Sequence, residues 1–391
     1  MPPSSRAESP GSVYLDHAAA TPLRAEVAAA MESAASAAYA NPSSPHAAGR
    51  QARRVLEEAR ERILALLGCH ASGRARDRLV FTSGATEANR LGVLGVPEFA
   101  GTVGLSARDH ASVAAAARAL EARGWRSVTL PLDADGRLEP GGDWHGHGPG
   151  LLCITVACGQ TGVVEDLARV ADWSGARADR RVHADATQAL AWWGPSFPNL
   201  GAATMACAPH KFGGPRGIGA LVVRAGSEIV PVSPGTQELG LRGGTEAVSL
   251  AVGFARALEL ALAERLAGAE QLGRLRAELE SRIAAAAAAA GLEAHVLGAA
   301  TVRAPHIATI AFPGLDRQAL VMAADLEGLC LASGSACSSG STEPAPALVA
   351  MGLPAGVTQG AVRLSLGRTT TAADVAAAAE RLGRVFHRLK T

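Results

Sequence analysis

Lysine is nearly absent. Of 37 lysine and arginine residues in 391, only Lys211 and Lys390 are lysine. Metal-binding spacing is missing too. The six cysteines (Cys69, Cys153, Cys158, Cys207, Cys330 and Cys337) include no Cys-x-x-Cys pair, and no His/Cys cluster has zinc spacing, so no metal site built by the protein is expected. Aromatic residues make up 4% of the chain and the net charge is +1. No basic stripe with interleaved aromatics occurs, which argues against direct nucleic-acid binding. No apolar run reaches the roughly 18 residues that a membrane span needs. The Ala284–Ala290 run is short and lies in a charged helical pattern. Residues 1–10 are polar and rich in Ser and Pro, without the apolar core of a signal peptide, so residues 1–12 read as a disordered tail. Free thiols in a long chain without a leader point to a reducing, cytoplasmic compartment.

The shortage of lysine gives Lys211 its interest. Arginine serves well as a surface charge, but its guanidinium stays protonated and cannot attack a carbonyl. An interior lysine in an arginine-rich chain is therefore either a chance surface residue or a Schiff-base amine. Lys390, one residue from the C-terminus, reads as a solvated tail charge.

The length predicts two domains, and the 48% hydrophobic content a well-packed one. Short apolar runs alternate with helical patterns. Strands are expected at Leu79–Phe81, Thr102–Ser106, Leu151–Ala157, Arg181–Ala184 and Ile218–Val223. Helices are expected at Ala111–Arg123 and Leu167–Ala178. This alternation predicts an α/β fold with a mainly parallel sheet flanked by helices, its reactive residues beyond the carboxyl ends of the strands. Ala247–Gly291 has the periodicity of one or two long helices. Beyond it, strands at Ile307–Phe312 and Val362–Leu366 and helices at Gln318–Glu327 and Ala372–Leu389 predict a smaller α+β domain. The expected division is a large domain over residues 13–255 and a small one over 256–391.

Four motifs could carry chemistry. Thr82-Ser83-Gly84-Ala85-Thr86-Glu87 lies between a strand and a helix and is either a phosphate-binding turn or an ordinary capped junction. His183-Ala184-Asp185-Ala186-Thr187-Gln188 puts a carboxylate at a strand end, where it either caps a helix or holds a pyridine nitrogen protonated. Ser333-Gly334-Ser335-Ala336-Cys337-Ser338-Ser339-Gly340 surrounds a cysteine with small residues, which suits an exposed nucleophile. Arg363, in Val362-Arg363-Leu364-Ser365-Leu366, is either an outward-facing charge or a bidentate clamp for a carboxylate.

Together these motifs resemble the cysteine desulfurases, pyridoxal-phosphate enzymes of the class V aminotransferase group. The resemblance runs from Tyr14-Leu15-Asp16-His17-Ala18-Ala19-Ala20-Thr21 to about Leu389. It takes in Asn41-Pro42-Ser43-Ser44-Pro45-His46, His210-Lys211, Arg242-Gly243-Gly244-Thr245 and the Cys337 loop, which is similar to the long loop of the subgroup that feeds iron–sulfur cluster assembly. It implies the fold type I of pyridoxal-phosphate transferases with a seven-stranded sheet in the large domain. It further implies that Lys211 carries the cofactor Schiff base and that Asp185 pairs with the ring nitrogen. Gln188 would contact the ring hydroxyl and His110 would stack on the ring and help move protons. Ala85 and Thr86 would bind phosphate, with His210 nearby and Thr245 reaching across from a second copy in a homodimer. Arg363, with help from Asn41, would hold the substrate carboxylate. Cys337 would take sulfur from L-cysteine as a persulfide and pass it to an acceptor protein, a cluster scaffold or a thiolation carrier. It could also act as a transient cluster ligand. A selenocysteine lyase-like enzyme and a weakly catalytic sulfur-relay scaffold are the alternatives.

The chain departs from the family pattern at three places. Gly159 stands where family members carry an asparagine beside the ring hydroxyl, so that Gln160 or a water would substitute. Ala208 and Pro209 replace a phosphate-binding serine and its neighbour, and Leu239 replaces a basic residue.

Overall fold

The computed structural model describes residues 11–70, 76–98, 100–139, 150–194, 196–334 and 343–390. Residues 1–10 of the expected tail, and residues 335–342 with Cys337, lie outside the described residues.

The chain starts with a two-residue strand, β1 (Val13–Tyr14), and two helices, α1 (Ala25–Ala37) and α2 (Ala47–Leu66). Strand and helix then alternate. The sequence runs β2 (Arg78–Thr82), α3 (Ala85–Leu94), β3 (Thr102–Ser106), α4 (Ala111–Glu121), β4 (Arg126–Leu130), β5 (Leu151–Thr155), α5 (Leu167–Gly175), β6 (Arg181–Asp185), β7 (Thr204–Cys207) and β8 (Gly219–Val223). Among the described residues β2 to β8 form a seven-stranded sheet in the order β2-β8-β7-β6-β5-β3-β4. All neighbours are parallel except those of β8, which runs antiparallel to both β2 and β7. This is the mainly parallel architecture that the motif spacing predicts. The inner strands β5, β7 and β8 are buried along their whole length because helices cover both faces of the sheet. Helix α2 shows how the cover is built. Ala52, Leu56, Ala59 and Ile63 recur at helical spacing and are buried.

The expected helical stretch after residue 247 is one continuous helix, α6 (Val248–Ala289), of 42 residues. After it come β9 (His295–Val296), β10 (Ile307–Ala311), α7 (Arg317–Leu326), β11 (Leu329–Cys330), α8 (Pro346–Ala350), α9 (Ala355–Gln359), β12 (Ala361–Ser365) and α10 (Ala372–Lys390). Strands β9, β10 and β12 make an antiparallel sheet with β10 in the middle. Helix α6 serves two apolar cores. Phe254, Leu258 and Ala261 pack into the one beneath the large sheet. Leu272, Leu275, Leu279 and Ile283 pack into a second one with Phe312, Leu364 and Phe386.

The N-terminal segment also joins the two cores. Val13 and Leu15 are buried in the second core, and β1 pairs in parallel with β11. The Ala18 N–H donates to Ser365 Oγ at 2.8 Å. Three residues on, Thr21 Oγ1 donates to the His210 carbonyl at 2.9 Å and accepts from the Gly213 N–H at 2.7 Å. The Ala18–Thr21 stretch is thereby stitched to the loop that carries Lys211.

Lys390 is exposed, as a solvated tail charge would be, but it also has partners within the chain. Its Nζ donates to the carbonyls of Ala290 at 2.8 Å and Gly291 at 3.1 Å, at the C-terminal end of α6. Carbonyls at a helix end have no intrahelical donor, and an ammonium satisfies them and opposes the helix dipole.

Candidate active site

The site forms where β6 ends, where α3 begins and where the Lys211 loop meets the N-terminal segment. Lys211 closes a short 3-10 turn, Pro209–Lys211, just after β7. Its Nζ donates to the Ala18 carbonyl at 2.8 Å and to the Ala19 carbonyl at 2.9 Å. Gln188 Nε2 donates to the same Ala18 oxygen at 2.8 Å, so Lys211 and Gln188 meet on one atom. The Gln188 amide is oriented from its other end by His306 Nε2, 3.3 Å from Oε1. Burial, then the nearby charges of His17, Arg363, Arg276 and Lys211, pushes His306 down to about 3, so its ring is neutral. His210 sits next to Lys211 and is pushed down to about 4, first by burial and then by Lys211 and Arg216.

Asp185 is the last residue of β6 and is buried. Its Oδ1 accepts the Thr187 N–H at 3.0 Å and its Oδ2 accepts Asn89 Nδ2 at 2.8 Å. Asn89 also donates to Ser112 Oγ at 3.0 Å, and Ser112 Oγ lies 2.7 Å from Nδ1 of His110. His110 caps α4 by accepting the Ser112 N–H at Nδ1. Asp185 and His110 are thus joined by two intermediates that the motifs do not mark. The signal that could have found them is weak: a polar residue four positions into an otherwise apolar helix face, and a serine two residues after a histidine.

Arg363 settles between its two sequence readings by burial. It lies mid-strand in β12 and is 3% exposed, not outward-facing. Its guanidinium donates to the Gly159 carbonyl at 2.7 Å and to Asp16 Oδ1 at 2.9 Å. Its Nε is buried without a hydrogen-bond partner among the described residues. A substrate carboxylate fits that donor set. Gly159 also borders Gln188: a Cβ built on it would lie 3.5 Å from Gln188 Cγ and Nε2, an ordinary contact. Gln160 is engaged elsewhere. Its Oε1 accepts the Ala347 N–H at 3.1 Å, and its carbonyl accepts Thr309 Oγ1.

The junction of β2 and α3 has the form of an anion cradle. Helix α3 starts without a side-chain cap, and a Cβ at Gly84 would meet nothing within 4 Å. The opposite wall is close-packed, because a Cβ at Gly219 would stand 2.5 Å from the Gly84 carbonyl carbon. Uncapped N–H groups at Ala85 and Thr86 can receive a phosphate. The aldehyde of a pyridoxal cofactor needs an amine, its ring nitrogen a carboxylate and its phosphate an anion cradle. Lys211, Asp185 and the start of α3 supply these three, so the residues fit the group. Thr245 and Asn41 are exposed and, among the described residues, make no hydrogen bond to this cluster; Asn41 Oδ1 accepts the Ser43 N–H at 2.8 Å. A cavity of about 540 Å³, lined by Thr21, Trp192, Phe212, Gln271 and Arg368, lies beside α6 and includes neither Lys211 nor Asp185.

Among the described residues no group of three His, Cys, Asp or Glu could hold a metal ion, and no helix is long and apolar enough to cross a membrane. The class V aminotransferase family profile matches residues 13–377. The cysteine desulfurase IscS of Dictyoglomus turgidum is 33% identical over 97% of this chain and 95% of its own. A NifS-like protein from Rickettsia africae superposes with a TM-score of 0.84 at 25% identity, covering 96% of this chain and 99% of the other. A structure described as SspA in complex with cysteine gives a TM-score of 0.76 at 27% identity, over 92% of this chain and all of that one. The profile match, the full-length identity and the shared architecture agree with the amine, carboxylate and guanidinium gathered here: the chain belongs to the pyridoxal-phosphate-dependent class V aminotransferase family, on its cysteine desulfurase branch.

Proposed function

We propose that this protein converts L-cysteine to L-alanine and takes the sulfur onto Cys337 as a persulfide for delivery to an acceptor protein. The observation that carries the reading is the meeting of Lys211 and Gln188 on the Ala18 carbonyl, with Asp185 at the end of β6 and the Arg363 guanidinium tied to Gly159 beside Gln188. Pyridoxal phosphate, when bound, supplies an electron sink for the alpha carbon of the substrate.

The residues then divide the work. Lys211 holds the cofactor and afterwards moves the alpha proton. Asp185 would keep a positive charge on the ring nitrogen. Gln188 would contact the ring hydroxyl, and His110 would stack on the ring and assist proton movement. The N–H groups at Ala85 and Thr86 would hold the phosphate, with help from His210. Arg363, with help from Asn41, would hold the substrate carboxylate. The Cys337 thiolate attacks the substrate sulfur. A sulfur–sulfur bond forms, the carbon–sulfur bond breaks, and its electron pair goes to the carbon, which gains a proton and leaves as alanine. Three of the other thiols are poor candidates for this attack. Burial raises Cys153 and Cys207 and pushes Cys69 up to about 12, so all three keep their protons at neutral pH. Thr245 is exposed, which suits a homodimer in which it would complete the phosphate site of a second copy.

The test is mass spectrometry of the purified protein after addition of cysteine. The expected result is a gain of about 32 Da, one sulfur atom on the oxidation ladder, on the peptide with Cys337. Lys211→Ala should lose the visible absorbance band of the bound cofactor. Cys337→Ala should keep the band and lose sulfide and alanine release. Full activity in Cys337→Ala would overturn the persulfide step.

A further inference from the structure

We propose that Asn89 is a positioning residue that binds Asp185 and His110 into one hydrogen-bonded unit beneath the cofactor. The inference rests on the reading of Asp185 and His110 as cofactor contacts. It starts from a polarity that leaves no choice. The Asp185 carboxylate only accepts, so the side chain 2.8 Å from its Oδ2 must present nitrogen, which places Nδ2 of Asn89 there and Oδ1 on the opposite side. On that side stands His183, with Nε2 3.0 Å from Asn89 Oδ1. An amide oxygen only accepts, so Nε2 carries the proton. A neutral ring then leaves Nδ1 to accept from Thr204 Oγ1, 2.9 Å away. Neutrality follows from burial, which pushes His183 down to about 4.

The second N–H of Asn89 goes to Ser112 Oγ at 3.0 Å. Since that oxygen accepts from Asn89, its own proton is directed to Nδ1 of His110, 2.7 Å away. Nδ1 also accepts the Ser112 N–H at 3.1 Å, so in the neutral ring the proton sits on Nε2. One directed series of donors therefore runs from Thr204 through His183 and Asn89, and branches to Asp185 and, by way of Ser112, to His110. Every polar atom of the Asn89 side chain is used, and the residue is fully buried. Space is kept for the series. A Cβ at Gly92, three residues further along α3, would stand 2.4 Å from Nδ1 of His183. The helix whose first turn cradles an anion thus sends its second turn to fix the ring-nitrogen partner and the stacking histidine.

Two measurements test this, one without cofactor. In apoprotein labelled with 15N-histidine, both His110 and His183 should give the spectrum of a protonated Nε2 and an accepting Nδ1. In Asn89→Ala the His183 preference should be lost. A proton on Nδ1 of either ring in the unsubstituted apoprotein overturns the series. In holoprotein, Asn89→Ala should move the pH midpoint of the cofactor absorbance by about one unit, the size of shift that one altered charge contact gives. It should also lower kcat about tenfold or more with KM within threefold. Leu91→Ala, a buried change on the same helix, should lower thermal stability without moving the midpoint. An unmoved midpoint in Asn89→Ala overturns the positioning role. Absence of any cofactor band in the unsubstituted protein would overturn the reading of Lys211 instead, and the apoprotein spectra would still decide the hydrogen-bonded unit.

Discussion

Gly159 and Ala208 both depart from the family pattern, and the two positions are not equivalent. Ala208 is fully buried, and Pro209 after it has no N–H to donate. Gly159 is half-buried, and a Cβ there would make an ordinary 3.5 Å contact with Gln188. Gly159→Asn should therefore be accommodated and add one hydrogen bond to the ring hydroxyl, a net gain of about 1 kcal/mol. Titration of apoprotein with pyridoxal phosphate should show a dissociation constant lower by about fivefold. A weaker constant would mean that this wall does not face the ring. At this scale the sequence reveals residues whose chemistry is rare in their surroundings. Lys211 is legible because almost no other lysine exists. Asp16 and Asn89 are not, because their meaning lies in partners 347 and 96 residues away.

Elements are legible where burial is symmetric. Strands β3, β5, β6 and β8 appear as apolar runs within a residue or two of their observed ends. Strand β4 has a mixed burial pattern at the sheet edge, and β7 (Thr-Met-Ala-Cys) is short and built of small residues, so neither marks itself in the pattern. Strand β8 reverses direction between two neighbours, which no local pattern encodes. Helix ends are also shaped by distant chain. Lys390 satisfies carbonyls about 100 residues away, at the end of α6. Lys390→Ala should cost about 0.5–1 kcal/mol, the usual worth of a cation at a helix C-terminus. Denaturant unfolding reads this directly, and an unchanged midpoint would mean that water replaces the ammonium at no cost.

The whole molecule is expected to be sensitive to acid before its carboxylates protonate. Burial pushes His17 and His183 down to about 4 and His306 to about 3, from an ordinary value of 6.5. The folded protein holds these rings neutral, while the unfolded chain takes up protons below about pH 6.5. Their contribution is complete above that pH and is lost as the pH falls toward 4. Thermal melting of the apoprotein should show Tm level near pH 7.5 and falling steadily below about 6.5. A flat Tm down to pH 5 would contradict the burial of these histidines. Two long-range connections set the architecture at this scale, the N-terminal segment and α6, and only the second is visible in the sequence, as an unbroken helical period.

The continuity of α6 has a mechanical consequence. A helix of 42 residues, about 63 Å at the usual rise, is a stiff rod, and its two ends are anchored in different cores. Neither core can melt without stripping one half of the rod of its packing. The loss of one core exposes Phe254 and Leu258, or else Leu279 and Ile283, to water. A helix shared in this way couples the two cores, and a single cooperative unfolding transition is expected.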